Sequence, residues 1–279
     1  MTRRPRLRAF ILPLLLSAAA VPAGAAAQTI QPLPGEDDPA NVLARHLKSL
    51  AEAPRNLYAL KGAGEAALEV GDPEAALGFF VRAEEVAPRD GEVKAGIGSA
   101  LVMMGQPWTA LKFFTDAGQL GLAESAIAGD RGLAHDLVGR PQLAQRDYRL
   151  ALGAGPDAEV TRRLALSLAI SGDREGALQL LEDQLLQRMP AAWRTRAFVL
   201  ALTGDLARAN EAAGAALPPY QADQLAPFFE ALAALGPADK ASAVHFGHFP
   251  RDPRATLQAR ATPPPAPPQP PREIAANRA

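Results

Sequence analysis

Between Pro39 and Ala53 the apolar residues Val42, Leu43, Leu47 and Leu50 fall on one helical face, the spacing of an amphipathic helix. From there a longer period takes over. Gly71, Gly105, Gly139, Gly172 and Gly204 stand 34, 34, 33 and 32 residues apart. Five residues after each comes an alanine: Ala76, Ala110, Ala144, Ala177 and Ala209. Seven residues before each comes a small residue: Gly64, Gly98, Gly132, Ala165 and Ala197. Four residues after the alanine lies a mostly bulky one: Phe80, Phe114, Tyr148, Leu181, then Ala213. Columns moving in step over five copies define an internal repeat, in which each unit buries its apolar face against its neighbours.

Each column has a physical reason. A glycine ends the first helix because it adopts the left-handed conformation without steric cost. Asp72, Asp173 and Asp205 follow a glycine directly and offer a carboxylate to the free N–H groups of the second helix. Pro73, Pro107 and Pro141 then take the first helical position, where a missing N–H costs nothing. The small column lets paired helices approach closely, and the bulky column fills the space between repeats.

These columns resemble the tetratricopeptide repeat. The first copy, Asn56–Pro88, matches at Gly64, Ala67, Gly71, Ala76, Phe80, Ala83 and Pro88. The second keeps Gly98, Leu101, Gly105, Ala110, Phe114 and Ala117, and the third Gly132, Gly139, Ala144, Tyr148, Ala151 and Pro156. The third departs at Arg131, where an apolar residue is usual, and the last two copies are degenerate, although Trp193 matches the family's first-helix tryptophan. The resemblance implies an all-α fold, a right-handed superhelical solenoid of about five repeats over residues 39–249. Pro39–Ala53 caps its open end, Ala222–Leu235 adds one helix before Gly236-Pro237, and Asp239–Val244 adds a turn.

Outside the repeats, composition changes. Arg3, Arg4, Arg6 and Arg8 precede the apolar run Ala9–Ala20, and Ala25-Ala26-Ala27 offers a small-residue cleavage site. Residues 1–27 therefore read as a secretory signal peptide, with a strictly apolar core too short for ~30 Å of hydrocarbon. An uncleaved anchor is the alternative, because alanines extend the run to Ala27, and the periplasm is the expected destination. Residues 28–38 are expected to be a flexible segment. Seven of the nine residues Pro263–Pro271 are proline, so residues 250–279 are expected to be a disordered tail.

Chemistry is scarce. Loss of residues 1–27 leaves 25 basic and 30 acidic side chains, without the basic stripe that nucleic acid requires. The absence of cysteine removes disulfides, thiolate metal sites, a cysteine nucleophile and a lipoprotein anchor. His245 and His248 have a spacing compatible with one metal ion, but no acid or third histidine stands close in sequence. His135 falls on a small or apolar inter-helix column and is expected to be buried and hydrogen-bonded. No nucleophile elbow, phosphate loop or zinc-protease run occurs. No catalytic residue, metal or cofactor is expected.

Binding is the remaining class. By the resemblance, the first helices line a concave groove. Its expected residues are Tyr58, Lys61, Glu65 and Glu69; then Glu92, Ser99, Val102 and Met103; then Asp130, Leu133 and Asp136; then Arg162, Leu166, Arg194 and Phe198. The groove would run from acidic to basic along its length, with Val102, Met103, Leu166 and Phe198 as apolar anchors for an extended peptide. The chaperone-carboxylate clamp of some family members is missing: Lys61 is followed four residues later by Glu65, and Ala95 and Ser99 stand where its later basic residues would. The expectation is an envelope adaptor with a protein partner. The alternative is a cell-wall protein with indirect peptidoglycan association, because VHFGHFP and the proline run resemble the junction before a sporulation-related repeat domain. A metal-dependent enzyme ranks last.

Overall fold

A computed structural model of the chain describes residues 37–249. The expected signal peptide, most of the expected flexible segment and the expected disordered tail lie outside the described residues. Helix α1 (Pro39–Glu52) comes first. Four pairs follow: α2 (Leu57–Glu69) with α3 (Pro73–Val86), α4 (Gly91–Met103) with α5 (Pro107–Gln119), α6 (Glu124–Leu137) with α7 (Pro141–Ala154), and α8 (Ala158–Ile170) with a second helix divided into α9 (Arg174–Leu180) and α10 (Glu182–Leu186). The fifth pair is α11 (Pro190–Leu202) with α12 (Leu206–Ala216), and α13 (Pro219–Leu232) and α14 (Pro237–Phe246) complete the chain of elements. No strand occurs among the described residues, and no helix there is long and apolar enough to cross a membrane.

The turn within each pair is built one way five times. Gly71, Gly105, Gly139, Gly172 and Gly204 have φ between 71° and 91°. The N–H of the next residue donates to a carbonyl five residues back at 2.8–2.9 Å, as from Asp72 to Ala67 and from Asp205 to Leu200. This closure satisfies carbonyls that the helix end would otherwise strand. Asp72, Asp173 and Asp205 accept from the N–H groups of Ala75, Gly176 and Arg208. Asn56, Asp90 and Asp157 cap the first helices of their pairs in the same manner.

Packing between paired helices follows from the small and bulky columns. A Cβ placed on Gly64, Gly98 or Gly132 would stand 2.7 Å from the ring of Phe80, Phe114 or Tyr148 respectively. All three rings are fully enclosed. In the fourth and fifth pairs the small residue becomes Ala165 and Ala197, and its partner shrinks to Leu181 and then Ala213. Added volume on one side is matched by lost volume on the other, as close packing requires.

Two apolar cores result. One runs from Leu50 to Ala134 and the other from Ala144 to Ala243. Leu137 packs against both. Regularity declines in the second. Leu181 interrupts the fourth pair's second helix, where its N–H donates to Leu178 in a tightened turn. Arg188 ends that pair with φ 55°, a conformation rare outside glycine. Pro227 sits inside α13, where it withholds a backbone donor.

The last helix departs furthest from expectation. In place of a single turn at 239–244, α14 spans ten residues, Pro237–Phe246. It leaves α13 and packs on α6 and α8, the first helices of the third and fourth pairs. Its second residue, Ala238, lies against Gly139 just beyond the end of α6. Its ninth, His245, shares a cleft with Glu159 and Arg163 in the early turns of α8. It therefore runs antiparallel to both helices. Phe246 packs on the first core, while Val244 and Phe249 pack on the second.

Candidate functional site

The first helices of a solenoid line its concave face, and on this face the two halves of the molecule differ. At the N-terminal half the face is open and polar. Tyr58 is 79% exposed, its ring edge-on to His46 at 5.6 Å, and Glu65, Glu69, Glu92 and Met103 on α2 and α4 are also exposed. Lys61 bridges to the next pair through Asp90, at 3.2 Å, and Glu92. These bonds raise its pKa against the lowering effect of burial, which is the largest single influence. The Glu65 pKa is also raised, chiefly by partial desolvation of its carboxyl, against the lowering influence of Lys61, with Glu92 and then Glu69 adding to the rise.

Farther along, polar side chains join successive pairs in a ladder. The Ser99 hydroxyl donates to Asp130 at 2.5 Å, and Arg163 donates to the other Asp130 oxygen at 2.9 Å. Arg163 and Arg162 both reach Glu159, and Arg162 also donates to Gln184 at 2.9 Å. The expected basic end is thus largely neutralised from within. Arg194 is exposed and has no ion pair among the described residues.

Four expected groove residues are not on an open surface. Val102 is 1% exposed, and Asp136 is likewise enclosed. Each lies one helical turn after the glycine that faces its partner helix, Gly98 or Gly132, and so shares that inward face. Asp136 accepts from the Tyr148 hydroxyl at 3.1 Å and from the Ser167 hydroxyl at 2.7 Å. Burial lifts its pKa to about 7, against the lowering influence of those two bonds. Leu133 and Leu166 are 4% and 6% exposed and lie on the two helices against which α14 packs. Phe198 is half-buried, 5.7 Å from Phe229 and 6.0 Å from Phe228. Of the expected anchors, only Met103 stands on an open face.

The two C-terminal histidines part company. His245 lies at the interface with α8, its Nε2 buried without a partner and its pKa lowered to about 3 by burial and then by Arg163. His248 follows the left-handed Gly247 and is exposed, 6.0 Å from the Phe246 ring. Among the described residues no group of three or more histidine or carboxylate side chains converges on a metal position. His135 is half-buried but not hydrogen-bonded as expected. Its Nε2 is 3.8 Å from Asp147, whose two oxygens are held by Arg131 at 2.8 Å each, and its Nδ1 has no partner. Burial lowers its pKa first, with Arg131 and Arg140 adding to the effect against Asp147.

On the other side of α6, between α5 and α7, lies a cleft of about 770 Å³. Its rim carries Trp108, 58% exposed under the Arg140 guanidinium at 5.0 Å, with Leu143 and Leu150. The sequence contains one legible hint of this surface: a tryptophan directly after Pro107, on the polar side of a second helix.

No protein-family model matches the chain, and no curated protein matches it. Solved structures do. A chain of the Cut9–Hcn1 hetero-tetramer of the APC/C is 16% identical with a TM-score of 0.55; the match covers 80% of this chain and 46% of that one. A tetratricopeptide repeat protein from Parabacteroides merdae is 16% identical with a TM-score of 0.52, covering 81% of this chain and 93% of that one. YrrB, described as a TPR protein with an unusual peptide-binding site, is 19% identical with a TM-score of 0.46 over 66% of this chain and 96% of its own. Likeness at this level of identity concerns architecture, and it agrees with the turns, columns and helix pairs described above: the chain has the tetratricopeptide-repeat fold.

Proposed function

We propose that the chain is an exported, non-catalytic scaffold that holds a segment of another protein on the open N-terminal half of its concave face. One observation carries the reading. Tyr58, Glu65, Glu69, Glu92 and Met103 are all exposed on α2 and α4, whereas the positions on α6 and α8 that match Glu65 are the buried Leu133 and Leu166. An acidic strip with one rigid aromatic and one flexible thioether suits a basic segment carrying an apolar side chain. The arginine-led apolar N-terminus supports export to the periplasm and work within the cell envelope.

The test is capture from envelope extracts with the mature chain and with a Glu65→Lys/Glu92→Lys variant. The native chain should enrich a defined partner that the charge reversal loses. An unchanged set of captured proteins would remove the acidic strip from the reading. Fractionation of cells expressing the full chain tests export, which retention of the protein in the cytoplasm would refute.

A further inference from the structure

The helix α14 is held on α6 and α8 by a contact that buries few large side chains and one unpaired polar atom. Its fully buried side chains are small, Ala241 and Ala243, with Ala238 against Gly139, and only Val244 and Phe246 add larger, half-buried apolar contacts. Small side chains bury little apolar area and contribute little each. The same contact encloses two groups that prefer water. His245 Nε2 is buried without a hydrogen-bond partner, and Lys240 is half-buried with its pKa lowered by burial and no acidic partner among the described residues. A buried polar atom left unpaired weakens the contact that encloses it. The seat beneath is well made: Leu133 and Leu166 lie on the covered helices, and Arg163 is held by Asp130 and Glu159.

We infer that the surface formed by α6 and α8 is a binding site for a short amphipathic helix with a small-residue face, that α14 is its resident occupant, and that a partner helix enters by displacing α14. The inference rests on the reading that the concave face binds protein, and it adds the kind of segment the covered half accepts. α14 displays the required features: antiparallel direction, alanine where the backbone of α6 ends at Gly139, and an aromatic at the far end. The connection that holds it is four residues long, between Leu232 and Pro237. Release of α14 would expose Leu133 and Leu166 together, an apolar floor for an incoming helix.

The probe is a labelled synthetic peptide of residues 236–249, titrated into the full chain. The native chain should bind it weakly, because the seat is taken. Ala241→Glu places a charge in the covered contact and should expel α14, tightening peptide binding at least tenfold. A second variant, Gly139→Cys/Ala238→Cys, locks the occupant. The two Cβ atoms would lie about 3.4 Å apart, near disulfide range, in a chain with no other cysteine. Cysteine at 139, where φ is 76°, strains the turn in either redox state, so the reduced variant is the reference: oxidised, it should bind no peptide, and reduced, it should bind peptide. Equal peptide affinity for the native chain and Ala241→Glu would overturn the inference. Should Ala241→Glu fail to fold, hydrogen exchange on the native chain decides. Amides of α14 should exchange through an opening that leaves α6 and α8 protected, and exchange only together with those helices would overturn displacement. The peptide reports on the seat whether or not a cellular partner exists, so capture from extracts fails or succeeds independently.

Discussion

The first three helix pairs and the last two solve one packing problem with different means. In α2 to α7 a bare glycine faces an aromatic ring, and nothing else of that shape fits the gap. In α8 to α12 alanine faces leucine and then alanine, the second helix breaks at Leu181, and a non-glycine residue takes the left-handed turn at Arg188. The first arrangement locks helix separation through single large side chains. The second spreads the same burial over many small ones. Among the locked pairs the first two keep their first helices open; α14 packs on the first helices of the third and fourth, and Phe228 and Phe229 pack on Phe198 of the fifth.

Removing a ring should strain this contrast most. Phe114→Ala leaves a void enclosed on all sides and is expected to cost about 3–5 kcal/mol by urea denaturation. The equivalent position in the fifth pair is already Ala213, so a loss at Phe114 below about 1 kcal/mol would show that rings do not set the spacing.

Acidity should act on the two regions with opposite sign. Asp136 has a folded pKa near 7, raised from 3.8, so its contribution is full below about pH 4 and is lost as pH rises through 7. Relative to Asp136→Asn, the native chain should therefore lose stability between pH 4 and 7, on the order of 1 kcal/mol per unit. His245 is lowered from 6.5 to about 3, so α14 docks best above pH 6.5 and is weakened as pH falls from there. The charged groups near it are Arg162, Arg163 and Glu159 on α8, Asp130 on α6 through Arg163, Arg194 on α11, and Lys240 on α14 itself. Hydrogen exchange of α14 amides should accelerate toward tenfold per unit below pH 6.5, after correction for intrinsic rates. An unchanged corrected rate at pH 5 would place His245 outside the docked contact.

Smaller effects sharpen the picture. Asp72→Ala removes a helix cap and should cost about 1 kcal/mol by thermal unfolding, and Asp205→Ala should match it, because both carboxylates make the same bond. Arg208→Ala removes an exposed pair with Asp205 at 3.7 Å and should leave stability unchanged within about 0.5 kcal/mol.

Most of the scaffold was legible because each column answers a local demand. Gly71 must adopt positive φ, Asp72 must cap, and Gly64 must admit Phe80; three residues read in order specify a turn and a contact. The groove was harder. Family resemblance places Val102 and Asp136 in it, although counting one turn from Gly98 and Gly132 points both inward. Nothing local announces that α14 crosses back to α6. The stretch PADKASAVHF has no long apolar stripe, and its placement depends on a surface a hundred residues earlier in the chain. Pro237 at its start, its alanines and the left-handed Gly247 at its end favour a helix locally, but they do not tell where it docks.

The four-residue link before α14 also sets the terms of competition. A segment held so close to its seat is present at millimolar effective concentration, on the order of a thousandfold above a micromolar partner. A partner helix of equal intrinsic affinity would capture about one chain in a thousand. Binding at the covered half would therefore favour partners that are also gripped elsewhere, and Tyr58 with its acidic strip offers that second grip on the same face.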